Sequence, residues 1–172
     1  RPPASALPGP GVIAFSVAAP DGQDLASSNA SDAPVAVSPD GQSLVLGSTG
    51  AGARKLWVRR TASLEARVLE GTEGACWPFW SPDSRSIAFT VGGQLKRIDA
   101  GGGQVRTICD LPGRSSGRGG GWNQQDDIVF GAMASPIFRV KASGGQPVAV
   151  TRFDASRHEW RQEFPHFLPD GR

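Results

Sequence analysis

A turn motif returns along this chain at a near-constant interval, and that interval constrains the fold more than any other feature. Val37-Ser38-Pro39-Asp40-Gly41-Gln42-Ser43-Leu44-Val45-Leu46 is matched 43 residues later by Trp80-Ser81-Pro82-Asp83-Ser84-Arg85-Ser86-Ile87-Ala88-Phe89. A decayed copy begins at Trp122, 42 residues further on, as Trp122-Asn123-Gln124-Gln125-Asp126-Asp127-Ile128-Val129-Phe130, one residue shorter before its strand. Another opens at Phe167 with Phe167-Leu168-Pro169-Asp170-Gly171. Each copy carries the same physical logic. An apolar residue ends a strand, proline presets φ at the second turn position, and Asp with Gly or Ser supplies side-chain hydrogen bonds and a permissive φ. A β-rich triplet then begins the next strand. Pro39, Asp40, Gly41, Pro82, Asp83, Pro169, Asp170 and Gly171 are therefore read as turn residues. Trp80, Trp122 and Phe167 share one phase and are expected to pack between neighbouring sheets, with Asp40 and Asp83 in exposed turns.

The second half of the unit also repeats. Lys55 to Arg59, Gln94 to Asp99 and Ile137 to Lys141 alternate apolar with polar residues, as half-buried strands do. Small-residue turns follow, and then a last strand at Ala66–Leu69, Val105–Cys109 and Pro147–Thr151. Four short strands every 40–45 residues are the signature of a propeller blade. The predicted fold is all-β: a partial β-propeller of about three four-stranded blades, an N-terminal strand and the start of a further blade. The boundaries are a linker at 1–11, a strand (12–17) and loop within 12–36, and the propeller over 37–172, with blades at 37–79, 80–121 and 122–166 and the next from 167. About 12–14 strands averaging ~5 residues are expected, and essentially no α-helix. The 23 glycines and 14 prolines among 172 residues agree, since both residues cost stability inside helices. Read as a segment of a ring, the chain is expected to form an open arc with apolar residues exposed at both ends, and to assemble or be sparingly soluble alone.

Composition narrows function. The formal charge is +2 with scattered arginines, so no basic stripe marks a nucleic-acid surface. No apolar run approaches a membrane span. Cys76 and Cys109 form neither a disulfide framework nor a zinc pattern, and at opposite edges of one four-stranded sheet they are expected to be free thiols.

No residue reads as catalytic, cofactor-binding or metal-ligating. Gly113-Arg114-Ser115-Ser116-Gly117 matches G-x-S-x-G, but a nucleophile elbow must be followed by a helix, and Gly119-Gly120-Gly121 disfavours one. Residues 113–121 are read as a flexible inter-blade loop. His158, Glu159, Glu163 and His166 do not form H-E-x-x-H, and Pro165 prevents a helix from setting the histidines on one face. The segment is expected not to be an enzyme.

The hairpins and the Ile87-Ala88-Phe89 strand resemble the TolB-like propeller repeat, a relative of the WD repeat. Over longer stretches the chain resembles the propeller that follows the kinase domain in many bacterial receptor-like serine/threonine kinases. The residues that carry this are Leu56-Trp57-Val58-Arg59-Arg60, Gly71-Thr72-Glu73-Gly74-Ala75, Pro78-Phe79-Trp80-Ser81-Pro82-Asp83, Gly119-Gly120-Gly121-Trp122-Asn123 and Phe164-Pro165-His166-Phe167 through Arg172. The Trp122-Asn123 copy departs from the pattern by lacking Pro-Asp-Gly. The resemblance implies a recognition or sensor module for a protein or peptide ligand. It also implies an extracytoplasmic location and a membrane tether and kinase domain upstream. Two alternatives are a TolB-like periplasmic scaffold and the propeller of a prolyl-oligopeptidase-type hydrolase.

Overall fold

The computed structural model describes residues 24–25, 35–49, 54–168 and 170–171. The linker at 1–11, the strand expected at 12–17, Pro169 and Arg172 lie outside them. The described residues hold thirteen strands and two short 3-10 turns, Pro112–Arg114 and Ala155–Arg157. Among them no helix is long and apolar enough to cross a membrane.

Three antiparallel sheets follow in chain order. The first joins β2 (Val35–Val37), β3 (Ser43–Thr49), β4 (Lys55–Arg60) and β5 (Ala66–Leu69), with β1 (Asp24–Leu25) pairing the far half of β3. The second runs β6 (Cys76–Trp80), β7 (Ser86–Val91), β8 (Gln94–Asp99), β9 (Arg106–Asp110). The third runs β10 (Gly117–Trp122), β11 (Asp127–Ala132), β12 (Phe138–Lys141), β13 (Val148–Ala149). Apart from β1, neighbouring strands in each sheet are thus consecutive meander strands, as in a blade. The repeat boundaries at Val37, Trp80 and Trp122 coincide with the ends of the first strands, so each sheet starts a few residues upstream of its repeat.

Turn chemistry sets the register. Ser38 Oγ donates to Asp40 Oδ1 at 2.5 Å while Gln42 N donates to the same oxygen at 2.9 Å. Ser81, Asp83 and Arg85 repeat this at 2.6 and 3.1 Å. Gly41 and Ser84, at one phase, take φ of 70° and 62°, the left-handed position the turn requires. In the third blade Asn123 Oδ1 alone accepts from Gln125 N and Asp127 N, holding a tighter turn without proline. The β7–β8 hairpin closes on Gly92 and Gly93, both left-handed, which matches the twist of the flanking strands.

Two apolar layers fill the spaces between blades. Val45, Leu56 and Leu69 of the first blade meet Trp80, Ile87 and Phe89 of the second. Phe79, Leu95 and Ile108 from the other face of the second blade meet Ile128, Phe130 and Val140 of the third. Alternation along each strand sends neighbours such as Phe79 and Trp80 into different layers. Trp80 is 6% exposed and donates its Nε1 to Ala36 O on the adjacent blade at 3.0 Å.

Four expectations need correction. Trp122 is only half-buried, because its Nε1 turns to Asp126 Oδ1 in its own shortened turn (3.1 Å) instead of crossing to the next blade. The glycine-rich segment is not all loop: residues 117–122 form β10, and their missing side chains allow close approach. A Cβ at Gly120 would sit 2.7 Å from the Phe79 ring, and one at Gly117 2.4 Å from Thr90. The last strand of the third blade shrinks to Val148–Ala149. Exposure at the two ends of the arc is unequal. Val35 and Val37 are exposed at one end, yet Leu44 and Leu46 on the same sheet face are buried; Val148, Val150 and Leu168 are exposed at the other.

Candidate functional site

The first strand of each blade stands beside its counterparts, and those of the second and third blades are both irregular. Pairing slips by one residue between Cys76 and Phe79 and again between Gly117 and Gly120, the mark of a β-bulge. At these bulges Trp77 has φ 55° and Gly119 φ 72°. Phe164, at the same phase ahead of Phe167, has φ 56°. Bulky residues rarely take such angles, and those that do cluster at functional sites.

The bulges bring together residues far apart in sequence. The Trp77 and Phe164 rings meet edge-on with centroids 5.1 Å apart. They meet across Gly119, where a Cβ would stand 2.9 Å from Phe164 Cδ1. Phe164 N donates to Arg118 O at 3.0 Å, seating the following segment beside β10. The Arg118 guanidinium lies 5.9 Å from the Trp77 ring centroid and 3.5 Å from Glu163. Arg161 approaches the other oxygen of Glu163 at 3.9 Å and covers the exposed Trp160 ring at 4.7 Å.

Beside this cluster a cleft of about 260 Å³ opens between the second and third blades, walled by Cys76, Trp77, Thr90, Gly92, Leu111 and Arg118. It lies at the blade ends that carry the second-to-third-strand hairpin and the inter-blade connections. Arg118 is the charged side chain in its wall, and with Arg161 it shares the Glu163 carboxylate, a local balance of two guanidiniums to one carboxylate that suits an anionic group. The half-buried Cys76 sulfur accepts from Arg54 Nη1 at 2.9 Å.

The residues singled out from sequence fall elsewhere. Asp40 and Asp83 sit in exposed turns at the opposite blade ends, and hydrogen bonds from the Ser38 and Ser81 hydroxyls hold their carboxyls below the ordinary range. Asp170 and Gly171 occupy the equivalent turn, where Gly171 O accepts from Asn123 Nδ2 at 3.2 Å. The Ser115 hydroxyl donates to Pro112 O at 2.9 Å, and strand β10 follows it. Glu159 accepts from Asp154 N and Gln162 Nε2, as part of a loop. Among the described residues no three His, Cys, Asp or Glu side chains converge in a way that would hold a metal. Cys76 and Cys109 lie on the two edge strands of one sheet, both unbridged, and burial pushes the Cys109 thiol up to about 11. The signal for Trp77 and Phe164 was present in the sequence. Both precede proline three residues ahead of a Trp80-phase aromatic, in Trp77-Pro78-Phe79-Trp80 and Phe164-Pro165-His166-Phe167.

These sheets, turns and inter-blade layers define the chain as part of a β-propeller. Among solved structures it is similar to TolB from Acinetobacter baumannii, with 17% identity and a TM-score of 0.63 over 80% of this chain and 35% of that one. It is similar to a TolB homologue from Agrobacterium tumefaciens, with 18% identity and a TM-score of 0.61 over 70% of this chain and 46% of that one. Regucalcin, a calcium-binding protein from Agrobacterium tumefaciens, matches at 16% identity and a TM-score of 0.57 over 78% and 48%. The chain spans less than half the length of each. No family model matches the sequence, and no curated protein matches it.

Proposed function

We propose that this chain is a non-catalytic recognition module that binds a protein or peptide ligand at the cleft beside Trp77, Arg118 and Glu163. The carrying observation is the bulge-built cluster, in which backbone conformations costing of order 1–3 kcal/mol each hold an aromatic pair and a net-positive edge around an open cleft. A ligand carrying Asp, Glu or a terminal carboxylate fits that charge. Selection of displayed random heptapeptides against the chain tests this. Enriched sequences should carry carboxylates and lose affinity on Arg118→Gln or Arg161→Ala. Failure to enrich any carboxylate-bearing peptide, or carboxylate-bearing binders indifferent to both substitutions, would refute the reading.

In the finer reading, the module is the extracytoplasmic sensor of a membrane-tethered bacterial serine/threonine kinase, supported by the motifs given above. The reading frame upstream of Arg1 should then encode H-R-D and D-F-G motifs and an apolar span of about 20 residues. A frame with a secretion signal alone would instead favour the TolB-like scaffold, with which the structural neighbours are equally consistent. A downstream nucleophile elbow would favour the peptidase propeller.

A further inference from the structure

The cleft between the second and third blades is walled by three stretches of chain. They are Gly74 to Trp77 at the first bulge, Thr90 to Gly93 at the β7–β8 hairpin, and Leu111 to Arg118 on the inter-blade connection and the start of β10. None of these walls comes from near either end of the sequence. The volume of about 260 Å³ falls below the roughly 300–1,000 Å³ of pockets that take a whole drug-sized ligand, so there is room for about one amino-acid residue and not for a run of them. Among the described residues that line it, Arg118 alone is charged, while Trp77, Val91 and Leu111 supply apolar surface. Arg118 Nη1 donates to Gly117 O at 3.0 Å, and Nε faces Glu163 Oε1 at 3.5 Å. A guanidinium carries five N–H donors, so Nη2 and the second N–H of Nη1 remain for a ligand. At the hairpin, Gly92 and Gly93 present bare backbone, which lets a ligand's main chain come close.

An internal Asp or Glu matches this lining poorly. With its carboxylate on Arg118 it has no apolar group left for Val91 and Leu111, and its chain must leave the cleft in two directions past walls on three sides. A chain-terminal aliphatic residue matches better. Its carboxylate and its side chain branch from one Cα, and a single stretch of main chain leads out. Capture of a chain terminus is a recurring mode of peptide recognition. A guanidinium fork pairs a carboxylate through two parallel hydrogen bonds, which fixes its orientation as well as its charge. We propose that the cleft binds the C-terminal residue of a partner polypeptide. The α-carboxylate pairs with the Arg118 fork, and a side chain of Val or Leu size lies against Val91 and Leu111. This chain-end site rests on the acidic-ligand reading above and narrows it to one kind of carboxylate.

Calorimetric titration of the chain with four acetylated pentapeptides tests this. The first is Ser-Gly-Ser-Ala-Leu with a free C-terminal carboxylate, and the second is the same sequence ending in an amide. The third keeps the free carboxylate but ends in Gly, and the fourth, Ser-Gly-Glu-Ala-Leu amide, carries an internal carboxylate instead. The free acid ending in Leu should bind, and each of the other three should bind about tenfold more weakly or worse. Arg118→Gln should weaken the free acid to a similar extent, and Arg118→Lys, which keeps the charge but not the fork, should recover only part of that loss. If Arg118→Gln fails to fold, the peptide comparison decides alone. An amide or a Gly-ended peptide as tight as the free acid, or full affinity in folded Arg118→Gln, would overturn the chain-end site. Equal binding of the internal-Glu peptide would overturn the chain-end site and leave the acidic-ligand reading standing. If the free acid does not bind at millimolar concentration, the display-selected carboxylate peptides separate the two: their binding overturns the chain-end site alone, and their failure overturns both.

Discussion

Gly119→Ala should destabilise the protein through one contact 45 residues away in sequence. Gly119 has φ +72°, where an L side chain costs about 1–2 kcal/mol. The added Cβ would lie 2.9 Å from Phe164 Cδ1 and 3.4 Å from Phe164 Cα, so the ring must move. Moving it breaks the edge-on contact with Trp77, and such a contact contributes about 0.5–1.5 kcal/mol. The loss therefore comes to about 1.5–3.5 kcal/mol, a fall in Tm of roughly 3–14 °C for a chain of this size. Thermal melting by circular dichroism measures it. Gly102→Ala is the reference, because its φ is +85° but no atom lies within 4 Å of its Cβ position, so it reports the backbone cost alone. The decisive measurement is the cycle with Phe164→Ala. With the ring gone, Gly119→Ala should cost no more than Gly102→Ala, leaving a coupling energy of about 1 kcal/mol. Coupling below about 0.3 kcal/mol would refute the assignment of Gly119 as the seat of the Phe164 ring.

Three further outcomes follow from the same structure. Trp80→Phe removes the Nε1 donor to Ala36 O and should cost about 1–2 kcal/mol in denaturant unfolding, whereas Trp122→Phe, losing a bond within its own exposed turn, should cost clearly less; equal losses would contradict the difference in packing. Cys109 is buried with its thiol raised to about 11, while Cys76 is half-buried, so a thiol reagent on the folded protein should label Cys76 first and reach two thiols per chain only on unfolding; equal rates would count against it. Asp83 is held below its ordinary 3.8 by the Ser81 hydroxyl. A carboxyl lowered by folding stabilises the native state above its unfolded pKa, and that stabilisation is lost as pH falls through the lower folded value. Asp83→Asn should therefore lose less stability than the wild type between neutral pH and pH below 3.8, by a small amount given the exposure of the turn; identical losses would show that this hydrogen bond contributes nothing.

Much of the fold could be read from sequence because its determinants are local. The Ser-Pro-Asp turns, the Gly92-Gly93 hairpin and the alternating strands at Lys55–Arg60 and Gln94–Asp99 each act within a few residues, and turn chemistry with a period of two acts at that range. The phase of Trp80 also followed, because a residue fixed one step before a turn keeps its face in every copy. Sequence alone misjudged residues 117–121, which it read as loop and which lie in β10. Glycine has weak strand preference, and only packing against Thr90 and Phe79 makes it the residue that fits there.

What only the tertiary structure decided lies between blades. Trp77 and Phe164 are 87 positions apart and touch because two bulges and an intervening Gly119 turn them into one space. Arg118 finds Glu163 because the segment after the third blade is seated by the Phe164 N to Arg118 O bond. Trp122 shares its phase with Trp80 yet bonds within its own turn where Trp80 reaches the adjacent blade. One residue missing from its turn redirected the indole nitrogen to Asp126, and no local rule states where a freed side chain will settle. The sequence by itself determined the repeating blade, since that rests on hydrogen bonds and alternation within a hairpin. The candidate site rests on the rotation of one blade against the next, which brings distant residues into contact and appears only once the sheets are packed.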